Sequence, residues 1–400
     1  MSSATTNLVV VGAGYAGVTA ANRFCASLTA EEALGVEVLM INPLPKFVER
    51  IRLHELAAGT VSTVSRSLAE MLHPKVRVLV GTVAYIDPDQ KAVDVVTPDG
   101  LVEISYSTLI YAVGSSTAQN IPGVLEHSYP LGDLEGALRA RAAIASSQAG
   151  IRVVVVGGGA TGVEVASEIS EQRTDASVTL LSSGPVLQFM LPKARRDIEK
   201  TLRRLKIDVR DDARVEKVTA AGVELADGTT VPSDVTIWAA SFRVPELAKV
   251  SGLAVDSAGR LRVDEHLQAL DYPDIIGGGD AIKTPDTVGA HLRMSCAAAI
   301  PLGGQAADTA LARLRGTRPT ALSVGYLIQC FSLGRKAGYI QFVRADDTPR
   351  HMHIAGKLGA TIKESICRMV VSGPQKEITK PNSYFTPKGP KRTKQTTVAR

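Results

Sequence analysis

The sequence predicts an α/β fold of two parallel-sheet halves followed by a C-terminal α+β segment, and three observations predict it. First, Leu8–Val11 is a run of four apolar residues, three of them β-branched, which reads as a buried strand. It runs into Gly12-Ala13-Gly14-Tyr15-Ala16-Gly17 and a helix through Val18-Thr19-Ala20-Ala21. Second, the pattern recurs. Ile151–Val156 is another apolar strand, followed by Gly157-Gly158-Gly159-Ala160-Thr161-Gly162 and a helix through Val163–Ile169. Third, Thr108–Ser115 and Asp234–Ala240 each read as a strand ending in small residues, one in each half. The halves therefore share one plan, as an internal duplication would produce, and each is a Rossmann-like unit.

The glycines carry the functional signal. Gly12 permits a tight turn, Gly14 lets a pyrophosphate approach the backbone, and Gly17 lets the helix pack on the strand. The helix N-terminus then presents unpaired N–H groups and a positive dipole end to the phosphates. Gly157, Gly159 and Gly162 repeat the arrangement. One such turn serves one dinucleotide, so two turns in one chain predict two.

Composition narrows the function classes. The 400 residues suffice for two or three domains with sizeable cores. Apolar residues make up 45% and aromatics only 4%, which suits Ala- and Val-rich βαβ packing and excludes a disordered chain. Residues 374–400 hold seven basic residues against one acidic residue, Glu377, so the tail alone outweighs the chain's formal +5 and the body is near neutral. A near-neutral body gives no footprint for nucleic acid. No apolar run approaches the ~18 residues of a spanning helix, so membrane contact would be peripheral. Cys25, Cys296, Cys330 and Cys367 form no CxxC pair, and the N-terminus has no basic-then-apolar signal. A cytoplasmic, reducing setting follows, at the membrane surface if contact exists, with no disulfide framework and no metal site.

In chain order, Val36–Ile41 is the second strand, and the position after it should hold an acid for the adenosine ribose; here it is Asn42. Phe47–Leu56 has apolar and charged residues at helical spacing. Arg50, Arg52 and His54 could reach a phosphate or cofactor edge there, and a solvated helix face explains each of them equally well. Strands follow at Val76–Val80 and Thr82–Ile86, then a hairpin, Val93–Val96 and Leu101–Ile104, around Pro98-Asp99-Gly100. A helix is expected from Asp133 to Ser147. In the second half, Ser177–Leu181 is followed by Ser182 at the ribose position, which leaves NADH and NADPH both open. The helix Lys193–Leu205, the strand Asp208–Arg210 and a hairpin around Asp227-Gly228 complete that unit. Ile275-Ile276 is a short strand whose following glycines, Gly277 to Gly279, deliver Asp280. A small-residue helix runs from Ser295 to Arg315, with Pro301 kinking or delaying it. Strands at Leu327–Phe331 and Tyr339–Val343 precede a helix from Gly356 to Val371. Its stripe Leu358, Ile362, Ile366 and Met369 is expected to face the core or a second copy in a homodimer. The Lys-, Pro- and Thr-rich tail from Pro374 is expected to be disordered.

The two glycine turns, the Thr108–Gly114 strand and Gly279-Asp280, in that order, resemble the two-dinucleotide flavoproteins of the pyridine nucleotide-disulfide oxidoreductase superfamily. Within it the chain is most similar to type II NADH dehydrogenases and apoptosis-inducing-factor-like NAD(P)H:quinone reductases, over roughly residues 5–370. The resemblance implies FAD at the first turn (Gly12, Gly14, Tyr15, Ala16, Gly17) and NAD(P)H at the second (Gly157, Gly159, Thr161, Gly162). It implies further that Asn42 faces the adenosine ribose and Ser182 its NAD(P)H counterpart. Val83 would meet adenine through its backbone, Arg50 the flavin region, and Gly114 would pass under the cofactor. Gly279-Asp280 would hold the ribityl chain. The helix start at Ser295-Cys296 would face the flavin pyrimidine edge. Glu164 would lie near the nicotinamide and flavin. The expected domains are residues 1–117 and 267–325 for FAD, 118–266 for NAD(P)H, 326–373 for the α+β segment and 374–400 for the tail.

Two departures are visible. The segment Pro43–His54 holds no cysteine, so no thiol relay follows the flavin. Where type II dehydrogenases carry paired glutamines, this chain has Ser295-Cys296-Ala297-Ala298-Ala299-Ile300. The expectation is an FAD-dependent NAD(P)H oxidoreductase passing electrons to an acceptor, a quinone first. The alternatives are a reductase for a small ferredoxin-like redox protein, and a non-catalytic FAD/NAD(P)H redox sensor.

Overall fold

The structure, a computed structural model, describes residues 6–118 and 120–391. β1 (Thr6–Val11) feeds α1 (Tyr15–Ala26), and β2 (Val36–Asn42) returns parallel beside β1. A short helix, α2 (Leu53–Ala57), precedes β3 (Val76–Val80) and β4 (Thr108–Tyr111). The second half opens with α3 (Leu134–Ser146), capped by Asp133, and continues through β5 (Arg152–Val156), α4 (Ala160–Gln172) and β6 (Ser177–Leu181). It ends with α5 (Pro192–Arg204), β7 (Asp208–Arg210) and β8 (Val235–Trp238). β9 (Ile275–Gly277) and α6 (Cys296–Leu314) then return the chain to the first half. β10 (Ile328–Ser332), β11 (Gly338–Val343) and β12 (Pro349–Ala355) form an antiparallel sheet, and α7 (Gly356–Lys376) follows.

The first sheet runs β9-β4-β1-β2-β3, all parallel. The second runs from a short Tyr129–Pro130 strand through β8-β5-β6-β7, also all parallel. In each, the strand that ends in a glycine turn is central, which places both turns where the sheet order reverses. Central parallel strands are buried on both faces, and this explains the near-continuous valines of β1 and β5.

Small residues set the closest packing. A Cβ on Gly17 would overlap the Gly12 carbonyl, and one on Gly303 would overlap the Ala16 carbonyl, so α1 sits tightly between its own turn and α6. Pro301 lies inside α6 without stopping it; packing against α1 holds the helix continuous across the missing N–H. One buried core joins three distant stretches: Leu53 and Leu56 of α2, Val163 and Ile169 of α4, and Phe331 and Tyr339 of the C-terminal sheet.

Three expectations are corrected. Phe47–Leu56 is not one helix: Lys46–Val48 is a strand paired with Ser65–Ser67, Arg50–Arg52 is a single 3-10 turn, and α2 starts at Leu53. The stripe of the last helix, expected to face the core or a second copy, faces the core only in part: Ile366 packs against it and Ile362 is half-buried. Leu358 and Met369 are exposed, whereas Gly359, Lys363, Cys367 and Val370 face inward. The tail from Pro374 is not disordered over its described part. α7 continues through Pro374, and Glu377 is completely buried. Its carboxylate accepts from Arg23 Nε at 2.9 Å and Nη2 at 3.0 Å, and from the N–H groups of Asn382 at 2.8 Å and Tyr384 at 3.0 Å. Beyond it, Gly325 donates to Pro387 and Gly389 to Ser323. Composition alone hid this, because the single acid in a basic stretch is the residue that anchors it. Residues 392–400 of that expected tail lie outside the described residues.

A chain ending at Gly373 should therefore be less stable, not merely shorter. Removing Glu377 leaves the buried Arg23 guanidinium with Asp308 alone, at 3.3 Å, a loss of about 3 kcal/mol. Urea unfolding of the FAD-loaded protein measures it; an unchanged midpoint would show that the tail contributes nothing to the fold.

Candidate active site

Both glycine turns are built as anion cradles. Gly14 and Gly159 are extended N-caps of α1 and α4 with no side-chain cap, and the first intrahelical bonds to them come only from Val18 at 3.0 Å and Val163 at 3.1 Å. The N–H groups ahead of those bonds have no helical partner. A Cβ built on Gly14 or on Gly159 would meet nothing within 4 Å. The backbone at each turn is thus open to a bulky anion, and the residues present fit two dinucleotides. Tyr15 and Ala16 in the first turn of α1 are buried, as is Gly162 in α4; Ala160 and Thr161 stay half-buried. The Tyr15 hydroxyl accepts from Ile51 N–H at 3.4 Å, and its ring meets Phe47 edge-on. Burial keeps that phenol well above its ordinary pKa.

The two ribose positions serve their turns. Asn42 Oδ1 accepts from Ala13 N–H at 2.9 Å, and its Nδ2 donates to the Leu44 carbonyl at 2.7 Å. Gly81 donates to the Asn42 carbonyl at 3.0 Å, which brings Val83, two residues on, into the same corner. Ser182 packs its side chain against Gly158, where a Cβ would overlap it.

Three expected residues, Arg50, Asp280 and Ser295, are joined through Ser115 in one hydrogen-bonded chain drawn from four stretches. Arg50 Nη1 donates to the Ser115 carbonyl at 2.7 Å, beside Gly114. Ser115 Oγ donates to Asp280 Oδ2 at 2.7 Å, and Ser295 N–H donates to Asp280 Oδ1 at 3.1 Å. Ser295 Oγ then caps α6 at Ala298 N–H. Gly279, at φ +79°, lies against Ala16, so the aspartate and the first turn touch. The next residue, Cys296, has its thiol pushed up to about 11 by burial, so it is protonated at neutral pH.

Glu164 anchors a second constellation, on α4. Glu164 Oε1 lies 3.1 Å from Lys363 Nζ and accepts from Ser332 N–H at 3.0 Å. His54 Nδ1 is 3.9 Å from the other oxygen, and His54 Nε2 is 3.3 Å from Ser332 Oγ. All four residues are buried. Burial alone would push Glu164 up, but Lys363, then His54 and the Ser332 N–H, outweigh it and hold the carboxyl below its ordinary range. Burial likewise opposes the Lys363 charge, and Glu164 holds that ammonium well above its ordinary value. Burial pushes His54 down, which leaves it neutral. The pair is therefore ionised although buried. Its neighbours are charged too. Arg52 pairs with Glu55 at 2.9 Å and Glu364 at 2.7 Å, and Arg335 with Glu168 at 2.7 Å and Glu55 at 3.3 Å.

Sequence reasoning missed Lys363 and Arg335. The available signal was the spacing Gly359, Lys363, Cys367, Val370, where one lysine interrupts a run of small and apolar residues at helical period.

The family model for pyridine nucleotide-disulphide oxidoreductases matches residues 6–299. An NADH dehydrogenase-like protein of Mycobacterium tuberculosis is 28% identical over 387 residues, covering 90% of this chain and 93% of that one. The type II NADH:quinone oxidoreductase NdhA of the same organism is 27% identical over 323 residues, covering 70% and 67%. The solved sulfide:quinone oxidoreductase of Aquifex aeolicus superposes with a TM-score of 0.77 at 19% identity, over 94% of this chain and 93% of that one, which shows the shared fold.

Lys363→Met should cost about 3–5 kcal/mol of stability, because it leaves a buried carboxylate unpaired. The double variant Glu164→Gln/Lys363→Met should recover most of that loss. Denaturant unfolding of the single and double variants checks the coupling; losses that simply add would refute it.

Proposed function

The chain belongs to the pyridine nucleotide-disulphide oxidoreductase family, and from that premise we propose that it is an FAD-dependent NAD(P)H oxidoreductase whose acceptor is a quinone. The observation that carries the reading is the pair of uncapped glycine turns, at Gly14 and Gly159, each central in its own parallel sheet. Bound FAD supplies the chemistry, accepting two electrons from a nicotinamide and passing them on.

The chain's own residues position and screen. N–H groups at Gly14–Gly17 hold the FAD pyrophosphate, and those at Gly159–Gly162 the NAD(P)H pyrophosphate. The chain from Arg50 through Ser115 and Asp280 to Ser295 locks the strand ends against the first turn and offers the aspartate to ribityl hydroxyls. The α6 N-terminus at Ser295 and Cys296 would offer its positive dipole end to the flavin, where it would favour negative charge. Glu164, held in one orientation by Lys363 and Ser332, would present its carboxylate to the nicotinamide. Lys363 supplies the compensating positive charge, and burial of the set excludes water.

The quinone reading is supported by the names of the relatives. Among the described residues no helix is long and apolar enough to cross a membrane. The exposed Leu358 and Met369 on α7 support peripheral contact at a membrane surface, where an apolar acceptor resides. That same helix carries Lys363 on its inner face.

Anaerobic mixing of the FAD-loaded protein with NADH and with NADPH tests the proposal. One of them should bleach the flavin band within the turnover time, and bleaching by neither would overturn the hydride step. Glu164→Gln should slow bleaching about tenfold or more while leaving FAD content unchanged. Steady-state rates with soluble quinones should exceed those with a ferredoxin; the reverse order would assign the acceptor to a small iron–sulfur protein.

A further inference from the structure

α5 and the C-terminal sheet line a cleft of about 790 Å³ to which neither glycine turn contributes a residue. That size lies within the range of small-molecule sites. One wall is the polar face of α5. Ala194, Ile198 and Leu202 turn inward, so Lys200, Arg203 and Arg204 line up along the cleft at one-turn spacing. Asp197, 3.1 Å from Lys200 Nζ, and Glu199, 3.9 Å from Arg203 Nη2, each pair with one of the three cations, which leaves Arg204 without a carboxylate partner among the described residues. Arg204 Nη2 donates to Thr201 Oγ1 at 2.9 Å, which steadies that guanidinium.

The opposite wall is an aromatic ladder. Phe331 and Tyr339 stack at 5.7 Å and 15°, and Tyr339 and His353 stack at 5.0 Å and 12°. Tyr339 is 1% exposed, yet its hydroxyl has no hydrogen-bond partner among the described residues. Buried polar groups are almost always satisfied, so an orphan on a cleft wall marks a place where something else supplies the partner. Burial, with Asp197 adding to it, pushes this phenol up to about 12, so it is a hydrogen-bond donor across the physiological range. His353, the exposed end of the ladder, presents an aromatic face to the cleft.

An anion receptor, a donor hydroxyl and a stacking face within one cleft match a single ligand class. We propose that this cleft is a third nucleotide site, taking a nucleoside mono- or diphosphate. Its base stacks on His353, its phosphates lie against Arg203 and Arg204, and Tyr339 donates to it. Arginine suits phosphate because its fork is bidentate. None of these residues belongs to the glycine turns or to the Glu164 constellation. The ladder nevertheless ends at Phe331, one residue before Ser332, whose N–H holds Glu164.

The full-length, FAD-loaded protein is titrated calorimetrically with guanosine diphosphate, in saturating NAD⁺ so that the pyridine nucleotide turn is filled. Inorganic pyrophosphate serves as a base-free probe, and phosphatidylserine vesicles as a lipid probe. One guanosine diphosphate per chain should bind, and Arg203→Ala/Arg204→Ala should weaken it tenfold or more. His353→Ala should weaken guanosine diphosphate and leave pyrophosphate unchanged. Tyr339→Phe, which keeps the stack, should weaken guanosine diphosphate severalfold without lowering the unfolding midpoint. No binding at millimolar concentration, or equal affinity in the double arginine variant, overturns the proposal. Vesicle binding lost in that variant, without nucleotide binding, overturns it in favour of a lipid surface.

Discussion

The ionised pair of Glu164 and Lys363 is the constraint on which the rest of the molecule is arranged. Two opposite charges out of water are tolerable only when each is fully satisfied. Glu164 comes from the second half, Lys363 and Ser332 from the C-terminal segment, and His54 from the first half. Meeting that requirement forces three stretches, far apart in the chain, to one point. Around it Arg52, Glu55, Arg335, Glu168 and Glu364 extend the pairing outward, and Leu53, Val163 and Tyr339 close the apolar shell. The charged centre therefore fixes how the two halves face each other, which no feature within either half could do alone.

What was legible in the sequence is what is local. Both glycine turns, the valine-rich central strands and the strand that delivers Asp280 are written within a few residues each, and the structure builds them as read. The Arg50, Gly114, Asp280 and Ser295 positions, taken singly, are weak signals. They were recoverable because the order of motifs resembled a family, and the structure then joins Arg50, Asp280 and Ser295 through Ser115 by hydrogen bonds, with Gly114 beside that chain. What was not legible depends on pairing at long range. Arg23 reads as a solvated helix residue until Glu377, 354 positions later, reaches it. Lys363 reads as a surface lysine because its partner lies on another helix. The 49–56 stretch has helical periodicity, yet Glu49, Arg52 and Glu55 turn inward to meet partners, and the backbone tightens into a 3-10 turn to let them.

The duplication is close in plan and different in detail. In both halves a glycine after the central strand crosses to positive φ, and a second glycine admits the helix. The residue after the second strand differs in use. Asn42 braces its turn with both amide atoms, whereas Ser182 works by being small enough to lie on Gly158. Neither is an acid, and each half has solved the absence by different chemistry.

The sheet order carries one more implication, for how a growing chain takes shape. The second sheet is made of stretches contiguous from Tyr129 to Trp238. The first is interrupted, since β9 joins β4 only after that whole unit has been made, and α6 arrives later still to cover α1. An emerging polypeptide can consolidate the inner unit while the outer one waits with one edge unzipped and the Ala16 face bare. β1 and α1 leave the ribosome ahead of the elements that cover them and are thus among the last to reach their final neighbours.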